Sequence, residues 1–196
     1  MRKIAFFDFD GTITTKDTFV EVIKYAKGKF RCYLGFAFLS PYIVGFKLKI
    51  ISNQRAKERV LRWFFRKMPQ QQFENICQGF AEEYLPTLLR PKAIVEIDAL
   101  IGEGTEVVIV SASPQDWIIP WAQERNIPVL ASRLAYKDLR VTGKLIGKNC
   151  RGTEKVKRIV AQYNLDDYDE IYAYGDTSGD TQMLSIADKK FYKPFR

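Results

Sequence analysis

Three segments of the chain are apolar at every position and then turn abruptly polar. Residues 4–7 run into Asp8 and Asp10, residues 107–110 into Ser111 and Ser113, and residues 171–174 into Asp176 and Asp180. Unbroken apolar runs of this length predict strands buried on both faces, as in a parallel sheet. Between them the apolar positions recur at helical spacing. Phe19, Val22, Ile23 and Ala26 predict a helix over 17–27, started by Asp17 or Thr18. Two amphipathic helices follow over 53–68, capped by Asn53, and over 70–85, where Phe73, Ile76, Cys77, Phe80 and Tyr84 form the apolar stripe. A helix over 91–103 ends at Gly102 or Gly104. Beyond the second strand the pattern predicts a helix with Pro114 in its first turn, then a short strand over 128–131. A hairpin over 134–146 around Val141, Thr142 and Gly143, a helix capped by Thr153 and a last strand through Phe191 complete it.

Strand and helix alternate after residue 90, and a purely helical block separates the first strand from the rest. The fold class expected is α/β, a Rossmann-like parallel sheet with an inserted α-helical cap. The core would comprise 1–15 and 88–196, and the cap 16–87. Such a sheet places its ligands beyond the carboxyl ends of its strands. Asp8, Asp10, Ser111, Ser113, Asp176 and Asp180 would therefore meet at one edge.

Composition narrows the chemistry. The 196 residues are 46% hydrophobic and 28% charged, ordinary for a globular protein with a real core. Histidine is absent, which excludes Ser-His-Asp hydrolysis and His-ligated zinc. Cys32, Cys77 and Cys150 form no CxxC pair, so a reducing cytosol is the expected setting. The opening residues lack the long apolar run of a secretory signal. Gly143 to Asn149 echoes a P-loop, but the spacing is one residue short and Asn149 stands in place of Ser or Thr. The net charge of +8 favours anionic partners.

Carboxylates crowded at one edge repel and take up protons unless a cation joins them. An all-oxygen set calls for a hard divalent ion, Mg2+ rather than zinc.

The motifs DFDGT (Asp8 to Thr12), SAS (Ser111 to Ser113), a following lysine and GDTSGD (Gly175 to Asp180), in this order and strand context, resemble those of the haloacid dehalogenase superfamily. The helical block resembles the cap of its phosphoserine phosphatase branch. The resemblance implies a Mg2+-dependent phosphomonoester hydrolase. Asp8 would be the nucleophile that becomes an aspartyl-phosphate. Asp10 would protonate the leaving group and then activate water. Asp8, Asp176 and the Asp10 carbonyl would hold the metal, with Asp180 orienting its waters. Ser111, Ala112 and Gly11 would surround the phosphoryl group, and Thr12 could add a contact. The cation that neutralises Asp8 is expected at Lys155, with Lys148, Lys157 and Arg151 as alternatives. Asp17 and Arg59 fall roughly where phosphoserine phosphatases hold their substrate, whereas Gly179 replaces a side chain used there.

The alternatives carried forward are a phosphotransferase of the same superfamily, a phosphoserine phosphatase, a lipid phosphatase, and a non-enzymatic binder of anions or nucleic acid. No nucleic-acid motif is present, and none is expected as partner. Residues 32–46 carry no charge and are broken by Pro41. Lys24, Lys27, Lys29 and Arg31 precede them, and Lys47 and Lys49 follow. This resembles the cap of bacterial phosphatidylglycerophosphate phosphatases. It raises the expectation of a cytoplasmic protein that touches an anionic membrane through Phe36, Phe38 and Leu39 and takes a lipid phosphate as substrate.

Overall fold

The computed structural model describes residues 1–48 and 50–196, and of 46 and 47 the backbone alone. Lys49 and the side chain of Lys47, both expected beside a membrane, thus lie outside the described residues.

A six-stranded sheet has the order β4-β3-β2-β1-β5-β6. Its strands are β1 (Lys3–Phe7), β2 (Glu106–Pro114), β3 (Val129–Lys137), β4 (Arg140–Ile146), β5 (Glu170–Gly175) and β6 (Lys189–Tyr192). All neighbours run parallel except β3 and β4. The central strand β1 pairs Phe7 with Ile109 on one side and with Tyr174 on the other. The two acid-bearing ends and the serine-bearing end are therefore adjacent because the apolar runs are in register.

Alternation along these strands splits the core. Ile4, Phe6, Val108, Val110 and Ala173 face one way and pack with Ile159 of α8 (Thr153–Gln162) and Met183 of α9 (Thr181–Ser185). Ala5, Phe7, Ile109 and Tyr174 face the other way, towards Ile97 of α6 (Pro91–Gly102) and Trp121 of α7 (Ile119–Gln123). The second cluster continues without a break into the helical block. That block holds α1 (Thr18–Lys27), α2 (Lys29–Phe38), α3 (Ser40–Lys47), α4 (Asn53–Phe65) and α5 (Gln70–Gly79). The chain leaves and re-enters the core at one place, where Thr15 N donates to the Leu88 carbonyl (2.7 Å) and Arg90 N to the Ile13 carbonyl (2.8 Å).

Several local expectations are corrected. Ser52, not Asn53, caps α4 by accepting from Arg55 N, because Asn53 is turned to the Asn149 side chain. Pro114 closes β2 rather than opening a helix. The hairpin turns at Asp138 and Leu139, both with positive φ (50° and 55°), as a two-residue reversal between twisted strands requires; Val141 to Gly143 lie inside β4. Gly152, not Thr153, sits at the cap of α8. Pro41 lies in the first turn of α3, and the break falls at Leu39.

Candidate active site

Asp8 directly follows β1, and its backbone N–H still donates to the Tyr174 carbonyl (2.9 Å). Its side chain is buried and meets Lys155, which reaches across from α8. The Lys155 ammonium spends its three donors on Asp8 Oδ1 (2.5 Å), the Val110 carbonyl (2.6 Å) and Asp180 Oδ1 (2.7 Å). Burial alone would strip its proton, but the two carboxylates outweigh that and hold its pKa above the ordinary lysine value. The other Asp8 oxygen meets only the Thr12 hydroxyl, at 3.5 Å. Burial, reinforced by Asp180 and Asp10, pushes the Asp8 carboxyl up to about 7 against the pull of Lys155.

Asp10, two residues on, is held quite differently. Its Oδ1 accepts from Thr18 N (2.7 Å) and Thr18 Oγ1 (2.5 Å) at the start of α1, where a helix N-terminus favours an anion. Trp117 Nε1 in turn donates to Thr18 Oγ1 (3.0 Å). Asp10 Oδ2 accepts from Ser113 Oγ at 2.6 Å and, more distantly, from Ser111 Oγ at 3.5 Å. Thus one carboxylate is fixed by a lysine and the other by neutral donors.

Between them the chain turns at Gly11 (φ +82°), where a Cβ would lie 2.4 Å from Asp176 Oδ2. A side chain at this position would face both a left-handed backbone and the Asp176 carboxylate, which leaves glycine as the fitting amino acid. Asp176 is itself buried; its Oδ2 accepts from Arg196, and its Oδ1 has no partner. Burial raises its pKa, only partly offset by Arg196. Asp180 is fully committed. Its Oδ2 accepts from Thr177 N (2.9 Å), Thr177 Oγ1 (2.9 Å) and Asp176 N (3.3 Å). Burial opposes its ionisation, yet Lys155 and these donors hold its pKa below the usual carboxylate value.

Oxygens of Asp8, Asp176 and Asp180 lie within 4.8 Å of one another. The unpartnered Asp176 oxygen, the loosely held Asp8 oxygen and the raised pKa of both fit a hard divalent cation. Asp180, with its lone pairs used, fits the part of a support behind it.

These groups line a cavity of about 490 Å3. Asp17, Phe19, Asn53 and Lys57 close it from the helical block. Asp17 caps α1 by accepting from Phe19 N (2.9 Å); although the residue keeps contact with solvent, partial desolvation at the cavity wall and the charge of Asp10 push its carboxyl up to about 6. Ala112 lines the cavity, and its carbonyl accepts from Lys57 Nζ (2.7 Å). Arg151 enters beside Gly179, where a Cβ would meet the guanidinium Nε at 2.7 Å. The glycine makes room for the arginine.

Of the candidate cations, Lys155 meets Asp8 and Asp180, Arg151 lines the cavity, and Lys148 and Lys157 are exposed elsewhere. Arg59 does not reach the site; it is exposed, and donates to the Tyr42 hydroxyl while its guanidinium lies over that ring. Lys57 was the residue missed, and the sequence did carry its signal. It is in phase with the buried Val60, Leu61 and Phe64, whereas Arg59 falls on the opposite side of the helix.

The fold is thus a mostly parallel α/β sheet whose carboxyl edge seats a lysine-paired aspartate, a second aspartate two residues on and an unpartnered buried carboxylate. The chain belongs to the haloacid dehalogenase-like hydrolases, whose family model matches residues 5–185. Protein CicA of Caulobacter vibrioides is 39% identical over 194 residues, covering 97% of this chain and 85% of that protein. A crystal structure of a protein of unknown function from Bordetella pertussis Tohama I superposes with a TM-score of 0.80 at 19% identity, covering 95% of this chain and 87% of that one. A phospho-aspartyl intermediate analogue of phosphoserine phosphatase superposes with a TM-score of 0.64 at 20% identity, covering 96% and 85%.

Proposed function

We propose that the protein is a Mg2+-dependent phosphomonoester hydrolase that works through an aspartyl-phosphate on Asp8. The observation that carries this reading is the asymmetry of the Asp8 carboxylate, with one oxygen fixed by Lys155 and the other turned to the cavity with only a distant hydroxyl. The phosphatase fold-relative captured as a phospho-aspartyl analogue supports it.

In the first step the free Asp8 oxygen attacks phosphorus and the ester P–O bond breaks. Asp10 delivers its proton to the departing alkoxide, a role typically worth about 10²–10⁴-fold. In the second step the Asp10 carboxylate takes a proton from water, whose oxygen attacks the acyl phosphate and releases inorganic phosphate and free Asp8. Ser113 and Thr18 hold Asp10 within reach of both tasks. Lys155 neutralises Asp8 as charge gathers on the phosphoryl group. Asp8 and Asp176, with the Asp10 carbonyl, would hold the cation, which supplies charge neutralisation at the phosphoryl oxygens when bound. Ser111 and the Ala112 segment would meet the transferred group. Lys57, Arg151 and Asp17 would meet the rest of the substrate.

Phosphoserine is not the favoured substrate, since Arg59 faces away and Gly179 hands its place to Arg151. A second anionic group on the substrate fits the Lys57 and Arg151 pair better, a description that covers phosphorylated lipid head groups. The test is phosphate release from an aryl phosphate. Chelator should abolish it and Mg2+ restore it. Asp8→Asn should lower turnover by about four orders of magnitude or more while the fold is kept. Full activity in chelator, or in folded Asp8→Asn, overturns the reading.

A further inference from the structure

Helix α2 is apolar on both sides. Cys32, Gly35 and Leu39 are buried, and Gly35 lies so close to α4 that a Cβ would meet Phe64 Cζ at 2.3 Å. The opposite side carries Phe30, Tyr33, Leu34 and Phe38, which are 79%, 60%, 47% and 64% exposed. The next segment adds Val44, Leu48 and Ile50, all exposed. Phe38 stacks on Trp63 of α4 (5.8 Å between centroids), and Trp63 is half-exposed. A helix apolar all round belongs against a second apolar phase, and a contiguous exposed patch of this kind marks an interaction site. The expectation that Phe36 and Leu39 face outward is corrected. Leu39 is buried, and Phe36 packs against the Phe64 ring (5.9 Å).

The patch is bordered by unneutralised positive charge. Arg55, Arg59, Arg62 and Arg66 recur every three or four residues along α4, a single stripe beside Trp63. Arg62 and Arg66 continue into a cleft of about 730 Å3 where Lys67, Lys137, Arg140 and Lys144 meet and Asp138 is the one acid of its lining. Among the described residues none of these eight cations forms a salt bridge. Glu58, the acid nearest in sequence, accepts instead from Gln54 and from Leu145 N. On the other border, Lys27 and Arg31 flank Leu34, Phe38 and Trp63.

We propose that this face docks on an anionic lipid bilayer, with the aromatic and aliphatic side chains entering the interface and the cations meeting head-group phosphates. The exposed Leu34, Val44, Leu48 and Ile50 favour lipid over nucleic acid, whose bases stack on rings and gain little from branched aliphatics. Among the described residues no helix is long and apolar enough to cross a membrane. The proposal does not rest on the hydrolase reading. It joins that reading at α4, whose inner side sends Lys57 to the catalytic cavity.

The full chain is mixed with vesicles of phosphatidylcholine alone, or of phosphatidylcholine with phosphatidylglycerol, and sedimented at low and high salt. The chain should sediment with the anionic vesicles only, and less at high salt. Trp63 reports insertion directly, because Trp117 and Trp121 are 0% and 3% exposed, so a blue shift of tryptophan emission comes from Trp63. Trp63→Ser should abolish the shift. Arg62→Gln with Arg66→Gln should weaken binding about thirtyfold. Both variants should hydrolyse an aryl phosphate as the wild type does, which separates a failed surface from a failed active site. Absence of sedimentation with anionic vesicles at low salt overturns the proposal, as does equal binding to neutral vesicles. So does a single-stranded oligonucleotide that binds through the arginine stripe while Trp63→Ser leaves vesicle binding intact.

Discussion

Lys155 and Arg62 carry the same charge in opposite circumstances. Lys155, 1% exposed, has a partner for each of its protons, and two of them are carboxylates. Arg62 stands in a row of four arginines with no acid paired to any of them among the described residues. At the sheet edge opposite charges are brought together out of water, where pairing is the condition for their being there at all. On the outer side of α4 like charges are left in water, where they cost little and remain available to something negative. Charge balanced inside the protein is held by its own partners; charge left unbalanced stays open to one from outside.

The sharpest way to break this contrast is to unbalance the edge. Lys155→Met leaves Asp8 and Asp180 buried without their cation, which should cost about 3–5 kcal/mol and remove hydrolysis. Chemical denaturation of this variant beside wild type checks it, and a change below about 1 kcal/mol would mean that water already reaches the pair. On α4, Lys57→Met and Arg59→Met differ by half a turn and should differ in kind. The first should raise KM for a phosphate monoester with a second anionic group about tenfold with little change in kcat; the second should leave both unchanged. Steady-state kinetics on the two variants decides whether α4 has one substrate side or two.

The smallest effect concerns Asp17. Its carboxyl rises from 3.8 to about 6 on folding, chiefly through partial loss of hydration and then through Asp10. A raised carboxyl pKa means that ionisation opposes folding. The penalty is absent below about 4, grows as pH rises towards 6 and is complete above it. Asp17→Asn keeps an oxygen to cap Phe19 N, so it should stabilise the protein by about 1 kcal/mol at pH 8, after allowance for its contact with solvent, and by nothing below pH 4. Thermal melts across that range would show the two curves converging in acid.

The strand ends were legible because burial on both faces leaves a periodicity of its own, and because carboxylates at the tips of such strands are costly enough to need a purpose. Lys155 is expected from the family resemblance, which left Lys148, Lys157 and Arg151 as alternatives. The local ends of elements were less legible. Whether Ser52 or Asn53 caps α4 depends on the Asn149 side chain, distant in sequence, and the hairpin turn at Asp138 and Leu139 carries no glycine to announce it. Arg59 is expected at the site from family spacing alone, which takes no account of the side of α4 that a residue occupies.

Thr15 and Leu88 are joined by a backbone hydrogen bond, and Thr14 bridges Leu89 next to it. To the sheet, everything from residue 16 to residue 87 is a single loop whose two ends have already met. Closing a loop costs only slowly more as it lengthens, about 0.6 kcal/mol for each doubling. The length and content of that excursion can therefore drift over evolutionary time while the register of β1 against β2 and β5, and with it the spacing of Asp8, Ser111 and Asp176, stays put. On the proposed reading, Asp17 and Lys57 could then change without disturbing the groups that would carry out the reaction.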